Sequence, residues 1–400
     1  MSTVRDLQQT SAATQLPIFV SIIPNLLGGA GHVYAYHCAV REAIVLLQWS
    51  HWAAVAPDSV LQDLPEGWTP ALDCPNLETE TNPLRKALNW WGIYRWSQQV
   101  AAYLRQVSML DRPVVVFLER FIPSQLIGLW LALWQIPTDR LAVWLLYRRD
   151  IHLMRIRPVY KLLNTMIQQR LLPHRLQLLT DSEPKARSLS RYFCQPVAVV
   201  PIPHTVITAQ VPFAREPSEI LCWWAGEPRP EKGLAVIQQL VALREPVARQ
   251  FRLILAASAE VLPSSSGMQI QTIADNLSRQ DYERWLVTSD VILLPYDRNA
   301  YQERTSGIFV EAVIAGKLPI VTSNTWMAQE LAQYGLQQLA VDWEQPGILS
   351  HIAHQLHSPD TLRRMQKMQQ SYLQFHNPES YGSVMQHIYW RSFHPMAKNS

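Results

Sequence analysis

The sequence predicts an α/β chain made of two parallel-sheet domains, and two observations carry that prediction. Short apolar runs rich in Val, Ile and Leu alternate with longer stretches of helical period, the pattern of parallel strands covered by helices on both faces. The pattern also starts twice, once on either side of a proline-rich segment at 201–218. A length of 400 residues accommodates two to three domains, and 48% apolar residues is enough to fill their cores. Fourteen Gly, 28 Pro and only 17% charged residues exclude a disordered or fibrous chain.

The elements follow in order. Residues 1–16 are polar where a secretory leader would be apolar, and read as a flexible N-terminus. A first domain over 17–200 has candidate strands at 18–23, 52–56, 114–118, 141–146, 176–180 and 197–200, with helical stretches between most of them. Pro201, Pro203, Pro212 and Pro217 stop any helix or central strand, so 201–218 reads as a hinge. A second domain over 219–378 restarts with candidate strands at 219–226, 251–257, 290–296 and 318–323. After the breaker Asn377-Pro378-Glu379-Ser380, residues 379–400 read as a C-terminal helix that packs back on the first domain.

Several function classes are excluded at this stage. A net charge of +3 is too small for a nucleic-acid binder. The four cysteines form no CxxC pair and the histidines show no HxxxH or HExxH spacing, so neither a disulfide framework nor a metal site is expected. The longest apolar run, Leu126 to Trp134, is far short of the about 20 residues of a spanning helix. A cytoplasmic protein is expected. Trp130, Trp134, Trp144, Trp223 and Trp224 fall in apolar runs and are expected in the core.

Open parallel sheets bind ligands beyond the carboxyl ends of their strands, which directs attention to three loops. Gly28-Gly29-Ala30-Gly31-His32 follows the first strand and precedes a helix; it suits a phosphate or sugar approaching backbone amides, and equally a tight turn. Gly226-Glu227-Pro228-Arg229-Pro230-Glu231-Lys232-Gly233 lies between a strand and a helix, with Lys232 placed as a point charge where a diphosphate would sit; a solvated helix start is the plain alternative. The third, 290–321, carries Glu303, then Thr305, Ser306, Gly307 and Ile308 opening a helix, then Glu311. Free amides at that helix start suit phosphate or sugar oxygens, and an ionised Glu311 suits the two hydroxyls of a ribose.

Together the second and third loops resemble the retaining, family 4-type glycosyltransferases of the GT-B fold. That family carries a G-R-x-x-x-E-K-G stretch and an E-x7-E stretch in its second domain. Here Glu303 and Glu311 match the latter, with Ala312, Gly316 and Pro319 following, and Gly226, Glu231, Lys232 and Gly233 match the former. The resemblance implies two Rossmann-like domains facing each other across a cleft and transfer of a sugar from a nucleotide-diphosphate sugar to an acceptor hydroxyl on a saccharide, glycolipid or lipid-linked glycan. It implies retention, with the donor as co-substrate and neither a metal nor a resident cofactor. Lys232, helped by Arg229, would hold the diphosphate. Thr305, Ser306, Gly307 and Ile308 would present amides, Glu311 would bind the ribose and Glu303 would face the reacting sugar. Gly28, Gly29, Gly31 and His32 would close from the first domain.

Two departures stand out. Glu227 occupies the place of the family's Arg, with Arg229 two residues on, and Tyr147-Arg148-Arg149-Asp150 stands where the family often has a His-Asp pair. The alternative they support is a catalytically silent scaffold of the same fold in a glycan assembly. A nicotinamide-binding enzyme is disfavoured because no GxGxxG follows a strand.

Residues 140–191 hold eleven Lys and Arg against three Asp and Glu, an excess of eight. Leu, Met and Ile interleave with the basic residues, which suits peripheral contact with an anionic membrane; a solvated helix face is the plain reading, and Pro158 and Pro173 interrupt the pattern.

Overall fold

A computed structural model describes residues 16–26, 32–56, 64–73, 77, 89–205, 207–208, 213, 219–262 and 267–394. The N-terminal stretch 1–15, the loop glycines Gly28, Gly29 and Gly31, and much of the 201–218 segment lie outside the described residues. The chain divides into two compact units, Met1–Val200 with Tyr381–Ser400, and Pro201–Ser380.

The first unit is built on a seven-stranded parallel sheet. Its strands are β1 (Ile18–Ile23), β2 (Ser50–Val55), β3 (Trp68–Pro70), β4 (Val114–Glu119), β5 (Leu141–Leu146), β6 (Leu176–Thr180) and β7 (Val197–Val199), in the order β3-β2-β1-β4-β5-β6-β7. The helices are α1 (His32–Leu46), α2 (Trp90–Ser108), α3 (Pro123–Leu133), α4 (Arg157–Arg170) and α5 (Glu183–Phe193). Strand side chains alternate between faces, and the two faces have separate cores. Ile18, Val20, Ile22, Val116 and Leu118 pack with Trp96, Val100, Leu126 and Ile167 from α2, α3 and α4. Phe19, Phe117 and Trp144 pack on the other side with Tyr36 and Val40 of α1 and with Tyr381 and Met385 of the last helix (Pro378–Phe393). There Tyr36 and Tyr381 join hydroxyls at 2.9 Å. Burial on both faces is why these strands read as unbroken apolar runs rather than as alternating ones.

The second unit repeats the plan with six parallel strands: β8 (Ile220–Trp223), β9 (Phe251–Ala256), β10 (Gln269–Ile273), β11 (Val291–Leu294), β12 (Leu318–Thr322) and β13 (Ala340–Val341). Their order is β10-β9-β8-β11-β12-β13. Its helices are α6 (Leu234–Ala242), α7 (Arg279–Thr288), α8 (Gly307–Ile314), α9 (Trp326–Gln333), α10 (Ile348–His357) and α11 (Pro359–Phe375). Each sheet starts in its middle and reverses direction once, between β1 and β4 in one and between β8 and β11 in the other. These are the topological switch points where open α/β sheets take ligands.

Two expectations need correction. Strands β3, β10 and β13 have no counterpart among the predicted ones; all three are sheet edges. Trp134 is 59% exposed rather than core. It is the residue that ends α3, and its ring is covered by the Arg170 guanidinium at 4.1 Å and meets the Trp130 ring edge-on at 6.2 Å, with no place in the core.

Candidate functional site

The switch point of the second unit brings the two matched loops together. Strand β8 pairs with β11, so the chain leaving β8 at 224–233 lies beside the chain leaving β11 at 295–306. A backbone hydrogen bond ties them, from Asp297 N to Glu231 O at 2.9 Å. The approach is close enough to require glycine: a Cβ on Gly233 would stand 2.0 Å from the Pro295 carbonyl oxygen, and its φ of +84° is one that other residues resist. Gly226, at φ +87°, ends β8's exit in the same left-handed region.

Lys232 closes a 3-10 turn, Pro230–Lys232, one residue before Gly233 caps α6. The turn curls its side chain back over Gly226, so that a Cβ added there would lie 2.8 Å from Lys232 Nζ and 3.3 Å from Ile308 Cδ1 on the first turn of α8. Ammonium, Gly226 and the start of α8 therefore share one place. Among the described residues Lys232 Nζ has no hydrogen-bond or ion-pair partner. Burial, followed by the neighbouring Arg229 charge, pulls its pKa down to about 8.

Helix α8 starts where the sequence expects it. Ser306 is its N-cap, accepting from Phe309 N at 3.2 Å, which leaves the other first-turn amides to be satisfied from outside the helix. A Cβ added to Gly307 touches nothing within 4 Å. The helix ends at Ile314, with Gly316 at φ +67° just beyond it. Glu303 and Thr305 lie half-buried in the loop leading into α8, and Arg304 covers the Tyr301 ring at 5.0 Å.

The remaining predicted residues have protein partners. Arg229 Nε donates to Glu227 Oε2 at 3.0 Å, and a second guanidinium nitrogen contacts the same oxygen; this holds the Glu227 carboxyl below its usual range. The carboxylate that stands in place of the family's Arg is thus paired with the guanidinium two residues on. Glu311 is buried, and both its oxygens are engaged, Oε1 by Arg279 at 2.9 Å and Oε2 by the Tyr282 hydroxyl at 2.7 Å. Burial raises its pKa, with Arg279 and Tyr282 opposing. Arg279 also donates to Glu283 at 2.6 Å, and Glu283 accepts from Thr208 N and Oγ1. Sequence reasoning missed Arg279 and Tyr282. Their spacing with Glu283 on α7, three and four residues apart, is the signal that one helix face carries them.

The first unit holds a second polar cluster that the sequence did not reveal, at the carboxyl ends of β4, β5 and β6. Glu119 is buried between His37 Nε2 at 3.3 Å and Arg148 Nε at 2.9 Å, and Arg148 stacks on the Tyr36 ring at 4.2 Å. Lys185, wholly buried, donates to Arg148 O at 3.0 Å and faces Asp181 at 3.4 Å and Asp150 at 3.6 Å. The Tyr147-Arg148-Arg149-Asp150 departure is therefore part of an internal ion network. The only hint in the sequence is Glu119, a lone charge ending an apolar strand. His32 is the first residue of α1. Among the described residues no group of three or more His, Cys, Asp or Glu is placed to hold a metal ion.

No protein-family profile matches the chain, and no curated protein matches it in sequence. Solved structures do match. Trehalose-6-phosphate synthase OtsA aligns with a TM-score of 0.64 at 12% identity, covering 94% of this chain and 99% of its own. The N-terminal domain of Candida albicans trehalose-6-phosphate phosphatase aligns at 0.63 and 11% identity, covering 94% and 97%. The glycosyltransferase SnogD from Streptomyces nogalater aligns at 0.53 and 13% identity, covering 93% and 99%. At these identities the likeness establishes the fold, the two Rossmann-like, parallel-sheet domains of GT-B glycosyltransferases.

Proposed function

We propose that the chain is a retaining glycosyltransferase of the family 4 type, moving a sugar from a nucleotide-diphosphate sugar held by the second unit to an acceptor hydroxyl. The observation that carries this reading is the meeting of Lys232 Nζ, Gly226 and the first turn of α8 at the β8/β11 switch point. A partly buried ammonium beside helix N–H groups is a site for a diphosphate. SnogD, a neighbour in fold, is itself a glycosyltransferase.

In the reaction the bond from the anomeric carbon to the diphosphate oxygen breaks, and a bond to the acceptor oxygen forms on the same face. The acceptor's proton passes to the departing phosphate. Negative charge grows on the diphosphate as the sugar becomes oxocarbenium-like, so fixed positive groups there lower the barrier. Lys232 and the α8 amides supply that field with no metal ion or resident cofactor. Arg229 stands beside them tied to Glu227. Each Glu311 oxygen keeps a further lone pair for a ribose hydroxyl, with Arg279 and Tyr282 fixing the carboxylate's plane. In this reading Glu303 serves the sugar, and the family resemblance assigns Gly28, Gly29, Gly31 and His32 to the acceptor side, the three glycines lying outside the described residues. That acceptor is a saccharide, glycolipid or lipid-linked glycan.

The test is incubation with UDP-, GDP-, ADP- and TDP-sugars and candidate acceptors, reading nucleoside diphosphate release and the anomeric configuration of the product by NMR. A product keeping the donor's configuration is expected, and an inverted product contradicts retention. Donor binding without any transfer favours the silent scaffold, for which the Glu227–Arg229 tie is the supporting observation.

A further inference from the structure

Helices α2, α3 and α4 lie side by side over one face of the first sheet. Arg105 near the end of α2 donates to Gln135 O, and Arg170 at the end of α4 donates to Leu133 O, both carbonyls at the end of α3. The three helices therefore run in the same direction, and their first turns gather at one end of the unit.

That end is apolar, aromatic and basic. On α2, Trp90 is 59% and Trp91 70% exposed, with Tyr94 and Arg95 exposed beside them. Around the start of α4, Leu153 is 62% and Leu162 59% exposed, joined by exposed Ile156 and Val159. Arg155, Arg157 and Lys161 alternate with these four along the chain, all exposed, with Arg157 and Lys161 on the flank of α4 that meets the Tyr192 ring, at 5.9 and 5.6 Å. The one carboxylate of 148–162 is Asp150, which is turned toward Lys185. The opposite end also exposes apolar residues, Met109, Trp134 and Leu172, but there Asp111 and Asp139 are exposed among them and Asp111 pairs with Arg140.

We infer that the end formed by the starts of α2 and α4 docks on an anionic phospholipid bilayer. Arg155, Arg157 and Lys161 meet lipid phosphates, Ile156, Val159 and Leu162 enter the interface, and Trp90 and Trp91 sit at the depth where amphipathic rings are favoured. Charge complementarity selects this occupant: a protein partner needs acceptors matched to three fixed cations, whereas an anionic leaflet presents phosphates everywhere. The inference rests on the surface of the first unit alone and makes no use of the donor site, so either reading can fail without the other.

The test is vesicle flotation of the full chain with phosphatidylcholine alone and with about a third phosphatidylglycerol, at low and high salt. Binding to the anionic vesicles only, weakening with salt, is expected. Each basic residue near the surface is worth roughly fivefold, so Arg155→Glu/Arg157→Glu/Lys161→Glu lowers binding by about a hundredfold or more. Trp90→Ser/Trp91→Ser lowers it by about tenfold. The control Met109→Ser/Leu172→Ser leaves it unchanged, and Arg155→Lys retains it. Thermal melts of every variant check folding, and the replaced side chains are all exposed. Equal binding to neutral vesicles, no vesicle binding at all, equal loss in the control, or self-association that the same substitutions abolish without vesicle binding would each overturn the inference.

Discussion

Lys232 offers a pH signature for the donor site. Its pKa of about 8 means that the free protein loses this positive charge within an accessible range. A bound diphosphate stabilises the charged form and raises the pKa, so that the bound lysine keeps its proton across this range. Binding above pH 8 must then first take up a proton, and the apparent Kd grows as one plus ten to the power of pH minus 8. Between pH 7 and pH 9 the predicted weakening is about tenfold, or roughly 1.4 kcal/mol. Lys232→Arg keeps a full charge across that window and should show no such slope. Lys232→Ala loses a charge-assisted hydrogen bond of about 1.5–3 kcal/mol, which is roughly ten- to 150-fold at pH 7. Calorimetric titration of nucleoside diphosphate at both pH values reads all three proteins. A flat wild-type profile, or the same slope in Lys232→Arg, refutes the placement of Lys232 at the diphosphate. The linkage has a counterpart without ligand. Between pH 8 and the unfolded lysine's 10.5 the unfolded chain holds the proton that the native one has released, so Lys232 makes folding stability rise with pH in that window and lowers it fully below.

The loops make further predictions. Gly233→Ala forces a Cβ against the Pro295 carbonyl at a left-handed φ and should cost about 3 kcal/mol or more, read as a fall in denaturation midpoint; a loss below about 1 kcal/mol contradicts the close approach. Gly307→Ala meets no atom within 4 Å and should stabilise α8 by roughly 0.5–1 kcal/mol, yet weaken nucleotide binding about tenfold by placing a methyl group before the helix amides. Unchanged binding in that variant removes α8 from the donor site. Arg279→Ala leaves Glu311 buried without its cation; because the Arg279 side chain is 42% exposed, the cost is set at about 2 kcal/mol, below that of a fully buried pair. Adding Glu311→Gln should recover part of that loss in urea melts, and a strictly additive double variant contradicts the coupling.

Which strands the sequence revealed follows from where they lie. Strands such as β1, β4, β5, β9 and β11 are covered on both faces and stand out as continuous apolar runs. The three unforeseen strands are edges: β3 is a three-residue strand ending in proline, β13 spans two residues, and β10, Gln-Ile-Gln-Thr-Ile, has no fully buried residue. Edge strand β7 was visible because Val197 and Val199 supply β-branched side chains. The same division holds at the site. Gly226, Gly233 and Ser306 were legible because local backbone geometry demands them, a left-handed φ in two cases and an N-cap in the third. Partners brought from a distance were not. The Arg279 and Tyr282 hold on Glu311 spans 32 and 29 residues, and nothing near Glu119 in sequence points to His37 or Arg148. Trp134 was misplaced for a related reason, since an apolar run does not show which residue falls at the helix end.

The central claim, that Lys232 and the start of α8 hold a nucleotide diphosphate, is tested most directly by calorimetric titration at pH 7 with UDP, GDP, ADP and TDP, on the wild type beside Lys232→Ala and Gly307→Ala. The account predicts one nucleotide class that binds the wild type and is weakened at least about tenfold by each substitution. Folded wild-type protein that binds none of the four, or binds one equally well in both variants, contradicts it.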